Sequence, residues 1–219
     1  MRSLSLIQLT FISVCLFSGS LQAQTFPTSG NQYIWKVGDG TYSDWSTNYS
    51  YNGGSTTSAP NALRDVIFGW ESAPTTARIS LAPGVSTGSA RSYNIYNGDF
   101  TFDFNGNTTT VWNKIWRFGN GSDSTMTVHF TGPSGSAIQF TELVIGDNGS
   151  SNNVFGGPDG TITFGSNVTY SFSSNGKLTV GSTQGGGGNV FNVLAGQDIS
   201  RGVILVNAGV GNKIVIQDG

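Results

Sequence analysis

The chain has 219 residues, 32 of them Gly, with 12% aromatic residues, only 10% charged residues and a net charge of −2. So few charges leave Ser, Thr, Asn and Gly to face water, while the aromatic content is enough for a packed core and excludes a disordered chain. The ten Lys and Arg are scattered singly, which leaves no basic stripe for a phosphate backbone and excludes nucleic acid as a partner.

Met1-Arg2, the mostly apolar stretch Leu4 to Phe17 and the small polar exit ending in Leu21-Gln22-Ala23 have the order of a secretory signal peptide over residues 1–23, cleaved after Ala23. Ser5, Gln8, Thr10 and Ser13 interrupt the stretch, which is also shorter than the ~20 apolar residues a spanning helix needs. Val14 and Leu16-Phe17 around Cys15 do not suit a lipoprotein. Cys15 is the only cysteine, so the mature chain is expected to have no disulfide, thiolate metal site or cysteine nucleophile. No second long apolar run follows. The expected location is secreted or cell-surface, with nothing transmembrane in the mature form.

Residues 24–70 concentrate Tyr33, Trp35, Tyr42, Trp45, Tyr49, Tyr51 and Trp70. Two readings stand. The rings cap an open apolar end of the fold, or Trp35, Trp45, Tyr49 and Trp70 form a carbohydrate-stacking platform. Helical periodicity is almost absent, and only Ala62 to Phe68 suits even a short helix.

From residue 71 to 219 the signals are those of strands. In Asp99-Phe100-Thr101-Phe102-Asp103-Phe104 the three Phe share one face and both Asp the other, and Thr125 to Phe130 and Gly160 to Phe164 alternate similarly. Trp116 to Ser122, Leu143 to Ser150, Leu178 to Ser182 and Leu205 to Gly209 each read as a strand entering a Gly/Asn turn, at positions 119, 146, 181 and 207. Asn153-Val154-Phe155, Asn189-Val190-Phe191 and Asn212-Lys213-Ile214 then open the following strands alike. Copied turns at such separations, with Gly185 to Gly188 as an insertion, predict an all-β fold of the parallel β-helix type, with a β-sandwich as the alternative.

Trp35, Gly40, Trp45-Ser46, Asn48-Tyr49, Pro60 and Asp65-Val66-Ile67-Phe68 resemble the opening of passenger regions built from autotransporter-associated β-strand repeats. That family commonly has Asn-Trp where this chain has Asn48-Tyr49. The resemblance implies a right-handed parallel β-helix, secreted or displayed by bacteria as a stalk, adhesive surface or matrix component, with no catalytic residues to carry over. An uncapped last coil near Gly219 would expose strand edges, leaving two alternatives: a truncated passenger, or self-association through the open coil.

Catalytic chemistry finds little. His129 lies on the Thr125/Thr127 face, which points to solvent or a Thr row and not to an oriented base. Gly132 to Ser136 misses the nucleophile-elbow spacing. Asp99 and Asp103 are about 13 Å apart on a strand, too far for a glycosidase pair. Asp123 and Asp147 suit Asx turns. Gly156 to Gly160 and Asp147-Asn148-Gly149 lack a calcium ligand set. Two Thr-x-Thr pairs read as solvent-facing strand residues, and the Asn-x-Ser/Thr triplets at Asn48, Asn107, Asn120, Asn148 and Asn167 are expected by chance in so Asn-rich a chain.

The sequence therefore predicts a non-enzymatic structural or adhesive protein with no cofactor and no metal. The alternative is a carbohydrate-binding module, with extracellular polysaccharide or a cell-surface glycan as partner; a polysaccharide-active enzyme ranks below both. The intact mass of the exported protein is expected to show a chain beginning at Gln24, and a species retaining residues 1–23 would refute the cleavage site.

Overall fold

The computed structural model describes residues 32–51, 56, 58–70, 75–82, 90–107, 110–119, 126–147, 151–156, 160–183, 186–193, 203–206 and 211–216. Residues 1–31, with the expected export signal and its cleavage point, lie outside them, as do Asp123 and most of Gly156 to Gly160. Among the described residues no helix is long and apolar enough to cross a membrane.

The elements are almost all strands. The chain begins with β1 (Gln32–Trp35), β2 (Gly40–Thr41), the one-turn α1 (Trp45–Asn48) and β3 (Tyr49–Tyr51). It continues through β4 (Asp65–Phe68), β5 (Thr76–Ser80), β6 (Ser92–Ile95), β7 (Gly98–Asp103), β8 (Thr110–Phe118) and β9 (Met126–Thr131). The last are β10 (Ser136–Ile145), β11 (Val154–Phe155), β12 (Ile162–Phe164), β13 (Val168–Val180), β14 (Val190–Val193), β15 (Val203–Val206) and β16 (Lys213–Ile216).

They form two eight-stranded sheets, ordered β15-β13-β10-β8-β6-β4-β1-β3 and β16-β14-β11-β12-β9-β7-β5-β2. From β4 onward the chain crosses from one sheet to the other, except between β11 and β12, which share a sheet, and each arriving strand but β11 pairs parallel with a strand laid down one passage earlier. The ladder between β1 and β3 is antiparallel. Among the described residues antiparallel pairing is confined to this N-terminal end.

The hydrophobic alternation explains why the register is unique, since a slip of one residue would turn each inward side chain out. In the first sheet Phe68, Ile95, Phe118, Ile145, Val180 and Val206 stand in one column, and Val66, Tyr93, Trp116, Leu143, Leu178 and Ile204 in another. In the second, Ala77, Phe100, Val128 and Ile162 align, as do Ile79, Phe102, Phe130 and Phe164. Trp116 lies between the two sheets, with ring centroids 5.1 Å from Phe102 and 5.3 Å from Phe130. Both members of each such pair are fully buried.

The strands leading into turn positions 119, 146, 181 and 207 stand opposite one another, as the copied segments predict. Gly119, Gly146 and Gly181 all take a left-handed backbone, with φ of +72°, +78° and +92°. At Gly146 a Cβ would also lie 2.4 Å from Asn189 Nδ2, so two constraints require glycine there.

The Asn-headed strands are in register too, Val154 against Val190 against Lys213. Their asparagines form a ladder. Asn153 donates from its backbone N (3.0 Å) and Nδ2 (2.8 Å) to Asn189 Oδ1, and Asn189 donates from the same two atoms to Asn212 Oδ1, both at 3.0 Å.

Three features depart from the sequence reading. Ala62 to Phe68 is not helical: Asp65–Phe68 is β4, held between β1 and β6, and the pairing partners outweigh a weak local preference. In the second sheet β12 lies between β9 and β11, so two strands consecutive in sequence stack in reverse order. β10 and β13 are 10 and 13 residues long, and their pairing shifts register between Phe140 and Glu142.

Asn189 is fully buried, so Asn189→Ala removes an acceptor from two Asn153 donors inside the protein. A loss of about 3 kcal/mol is expected, read from the urea midpoint, against a change within about 0.5 kcal/mol for the exposed Thr127→Ala. Equal effects would show that the ladder adds nothing.

Candidate functional site

The core occupies the inward position of each strand, so chemistry is left to the outward ones. On the first sheet these form two rows in register. One contains Asp65, Ser92, Ile115, Glu142 and Lys177; the other contains Ile34, Ile67, Asn94, Arg117, Val144 and Thr179. Where the rows meet the corner after β10, a groove of about 460 Å³ is lined by Asp65, Arg91, Ser92, Asn94, Ile115, Arg117 and Asp147.

Asp65 anchors one side of it. Arg91 approaches in a bidentate fashion, Nε donating to Oδ1 at 2.8 Å and a terminal N–H to Oδ2. Ser92 Oγ donates to the same Oδ1 at 2.6 Å and accepts from Asn94 Nδ2 at 2.9 Å. The hydrogen bond to Asp65, and then its charge, hold the Arg91 proton more tightly than usual. On the other side Arg117 lies 3.8 Å from Glu142 Oε1 and 3.5 Å from Asp147 Oδ2, ion-paired at separations too long for good hydrogen bonds.

Beside this polar network is a small apolar patch. Ile34 and Ile67 face outward yet are buried, because Trp70 and Tyr96 pack over them. The two rings meet edge to face with centroids 4.6 Å apart. The Tyr96 phenol is pushed up to about 12, first by burial and then by the negative charges of Asp147 and Asp65.

The aromatic residues singled out from the sequence separate into two environments. Trp35 and Tyr49 are fully buried. Their ring centroids are 5.1 Å apart; Trp35 also packs on Phe68, and Tyr49 on Tyr42. Trp35 Nε1 donates to Gly38 O at 3.1 Å. A ring without exposed surface has no face for a sugar, so these two belong to the core. Trp70 is half-buried on the outer face of the first sheet. Trp45 opens α1, and its side chain lies outside the described residues.

On the outer face of the second sheet, Arg78, Thr101, His129 and Thr163 form a column. His129 Nδ1 is 2.8 Å from Thr163 Oγ1, the Thr row that alternation predicts. Arg78 binds Asp103 Oδ2 at 2.6 Å, and Asp39 Oδ1 accepts from the Arg78 backbone N at 2.7 Å. Asp103 therefore faces Arg78 across the strands and not Asp99 along its own.

Sequence reading missed Arg91, Asn94, Tyr96 and Arg117 as site residues. The signal was present, because Arg117 occupies the outward position between Trp116 and Phe118 in the copied segments, where Val144 and Thr179 follow it. What the network offers is fixed hydrogen-bonding capacity, with its charges already opposed by partners.

A phenol that ionises less readily folded than unfolded supports the fold fully below pH about 10 and loses that contribution as the pH climbs from there through the folded value. For Tyr96 that window closes at about 12. Tyr42 and Tyr49, raised by burial foremost, act in the same direction. Tyr96→Phe is expected to reduce the fall in urea midpoint above pH 10, and an unchanged alkaline slope would place the phenol in water. No protein-family model, curated protein or solved structure matches the chain.

Proposed function

We propose that the chain is a right-handed parallel β-helix acting outside the cell, secreted or on the cell surface, as a non-enzymatic structural or adhesive protein. The observation that carries the architecture is the continuous in-register column Phe68, Ile95, Phe118, Ile145, Val180 and Val206, in which each member arrives after a passage through the other sheet. Apart from the passage that lays down both β11 and β12, the strands are added one per sheet per passage, parallel and in order, which is the pattern of coils stacked along an axis. The right-handed sense follows from the general preference of parallel crossovers. The rings of Tyr33, Trp35, Tyr42 and Tyr49 at the β1–β3 end suit a cap over the first coil.

The export reading rests on Met1 to Ala23. The non-enzymatic reading is supported by how the carboxylates are used. Asp65, Asp103, Glu142 and Asp147 are ion-paired with arginines, Asp44 caps α1 by accepting from Thr47 N, and Asp39 binds a backbone N–H. Groups so engaged already spend their oxygens on partners within the fold, whereas a general acid or base has to be within reach of the substrate proton it transfers.

Incubation with neutral and acidic polysaccharides from pH 4 to 9 is expected to release no reducing ends. Turnover that disappears in Asp65→Asn or Asp147→Asn would replace this reading with an enzymatic one.

A further inference from the structure

The non-enzymatic surface reading leaves the partner of the adhesive face open, and the inference drawn here rests on that reading and supplies the partner's chemical class. We propose that the groove on the outer face of the first sheet binds a neutral oligosaccharide.

Charge balance selects the class. In the groove the two guanidiniums of Arg91 and Arg117 are matched by the two carboxylates of Asp65 and Asp147, with Glu142 beside Arg117, and each guanidinium is already ion-paired. A polyanion would have to displace the carboxylates, and a cationic peptide the arginines, each at a desolvation cost. Hydroxyl groups need neither, because each one donates and accepts at once.

The geometry suits them. Asp65 is held by two arginine donors and one serine donor, so its orientation is set before any ligand arrives, which lowers the entropic cost of binding. The Arg91 side chain is 56% exposed and the Arg117 side chain 32%, so both reach solvent at the groove while ion-paired. A guanidinium has five N–H donors in a planar fork, more than the two that Arg91 spends on Asp65.

Span and amphipathicity narrow the class further. The Arg91–Asp65 pair joins the residue before β6 to β4, and the Arg117–Asp147 pair joins β8 to the corner after β10. Across the sheet the two pairs are two strand spacings apart, about 10 Å, and Arg117 also lies two residues further along the strands than Asp65, so a ligand bridging them has more than one sugar ring. Beside the polar floor lie Trp70 and Tyr96, with the Tyr96 phenol close enough to Asp65 and Asp147 to feel both charges. An apolar ring edge next to directed polar groups matches a pyranose, which has a C–H face and a hydroxylated rim.

The test is native gel electrophoresis of the purified protein through gels containing xylan, galactomannan or mixed-linkage β-glucan, with polygalacturonate as the acidic comparator. Retardation in at least one neutral gel is expected. Arg117→Ala and Arg91→Ala, outside the core, should each weaken it by about tenfold or more, the value of a hydrogen bond to a charged group, with an unchanged melting temperature. If either arginine variant is destabilised, Ile115→Trp fills the groove floor with both ion pairs intact and should abolish retardation. The proposal is overturned if no neutral gel retards the protein, if only polygalacturonate does, or if retardation survives Ile115→Trp. Reducing ends released from a retarding gel would instead remove the non-enzymatic reading and leave the groove in place.

Discussion

The fold depends above all on one constraint: most strands are satisfied only by partners far away in sequence, in one register. Asn153 meets Asn189 across 36 positions, and Asn189 meets Asn212 across 23. No local hairpin serves most strands, so the alignment has to be specified by side chains. The inward columns do this by shape, with Phe, Trp, Ile and Val at positions where a slip of one residue would expose them all. The corners do it by hydrogen bonding and backbone conformation, through the Asn ladder and the left-handed glycines. Each is weak alone, but together they leave no second register of similar energy. Loop closure over such distances must precede the contacts that reward it, so slow folding is the expected cost.

The same constraint determines where function can reside. Inward positions are fully committed, and the corners are occupied by backbone geometry. The outward faces alone tolerate chemistry, and they present it as a grid, with neighbouring residues about 4.8 Å apart across strands. On that grid the chain places opposite charges next to each other, Asp65 by Arg91 and Arg117 by Glu142 and Asp147. Exposed pairs of this kind add little stability. Their effect is to order polar groups that would otherwise move freely, on a support that does not move.

Much of this was legible in the sequence. The Phe100/Phe102/Phe104 face, the copied turns at 119, 146 and 181, and the three Asn-headed strands appear in the structure where their spacing places them, because inward alternation and Gly/Asn corners are local signatures. His129 joins a Thr row for the same reason. Other features were hidden. The exposure of an aromatic ring depends on what packs over it, so Trp35 and Trp70 looked equivalent, although one is core and the other lies on an outer face. The pairing of Asp65 with Arg91 needs the register of β4 on β6, which neither residue announces. Ala62 to Phe68 looked able to form a short helix because the four-residue strand within it has too few positions to display its period. The reversed stacking of β11 and β12 leaves no mark in the pattern at all.

That reversal bears on how such a chain can change in length. Between β10 and β13 the chain enters the second sheet, lays down β11, and doubles back to lay down β12 beneath it. Over the same stretch β10 and β13 remain direct neighbours in the first sheet, paired from Ser136 against Val168 onward. An additional strand has therefore been absorbed by one wall, while in the other β10 and β13 stay paired with a single shift of register between Phe140 and Glu142. A lineage able to do this once can gain or lose short segments in that wall without rebuilding the whole, so insertions and deletions among descendants should gather on the β11–β12 side, while the opposite wall keeps its count.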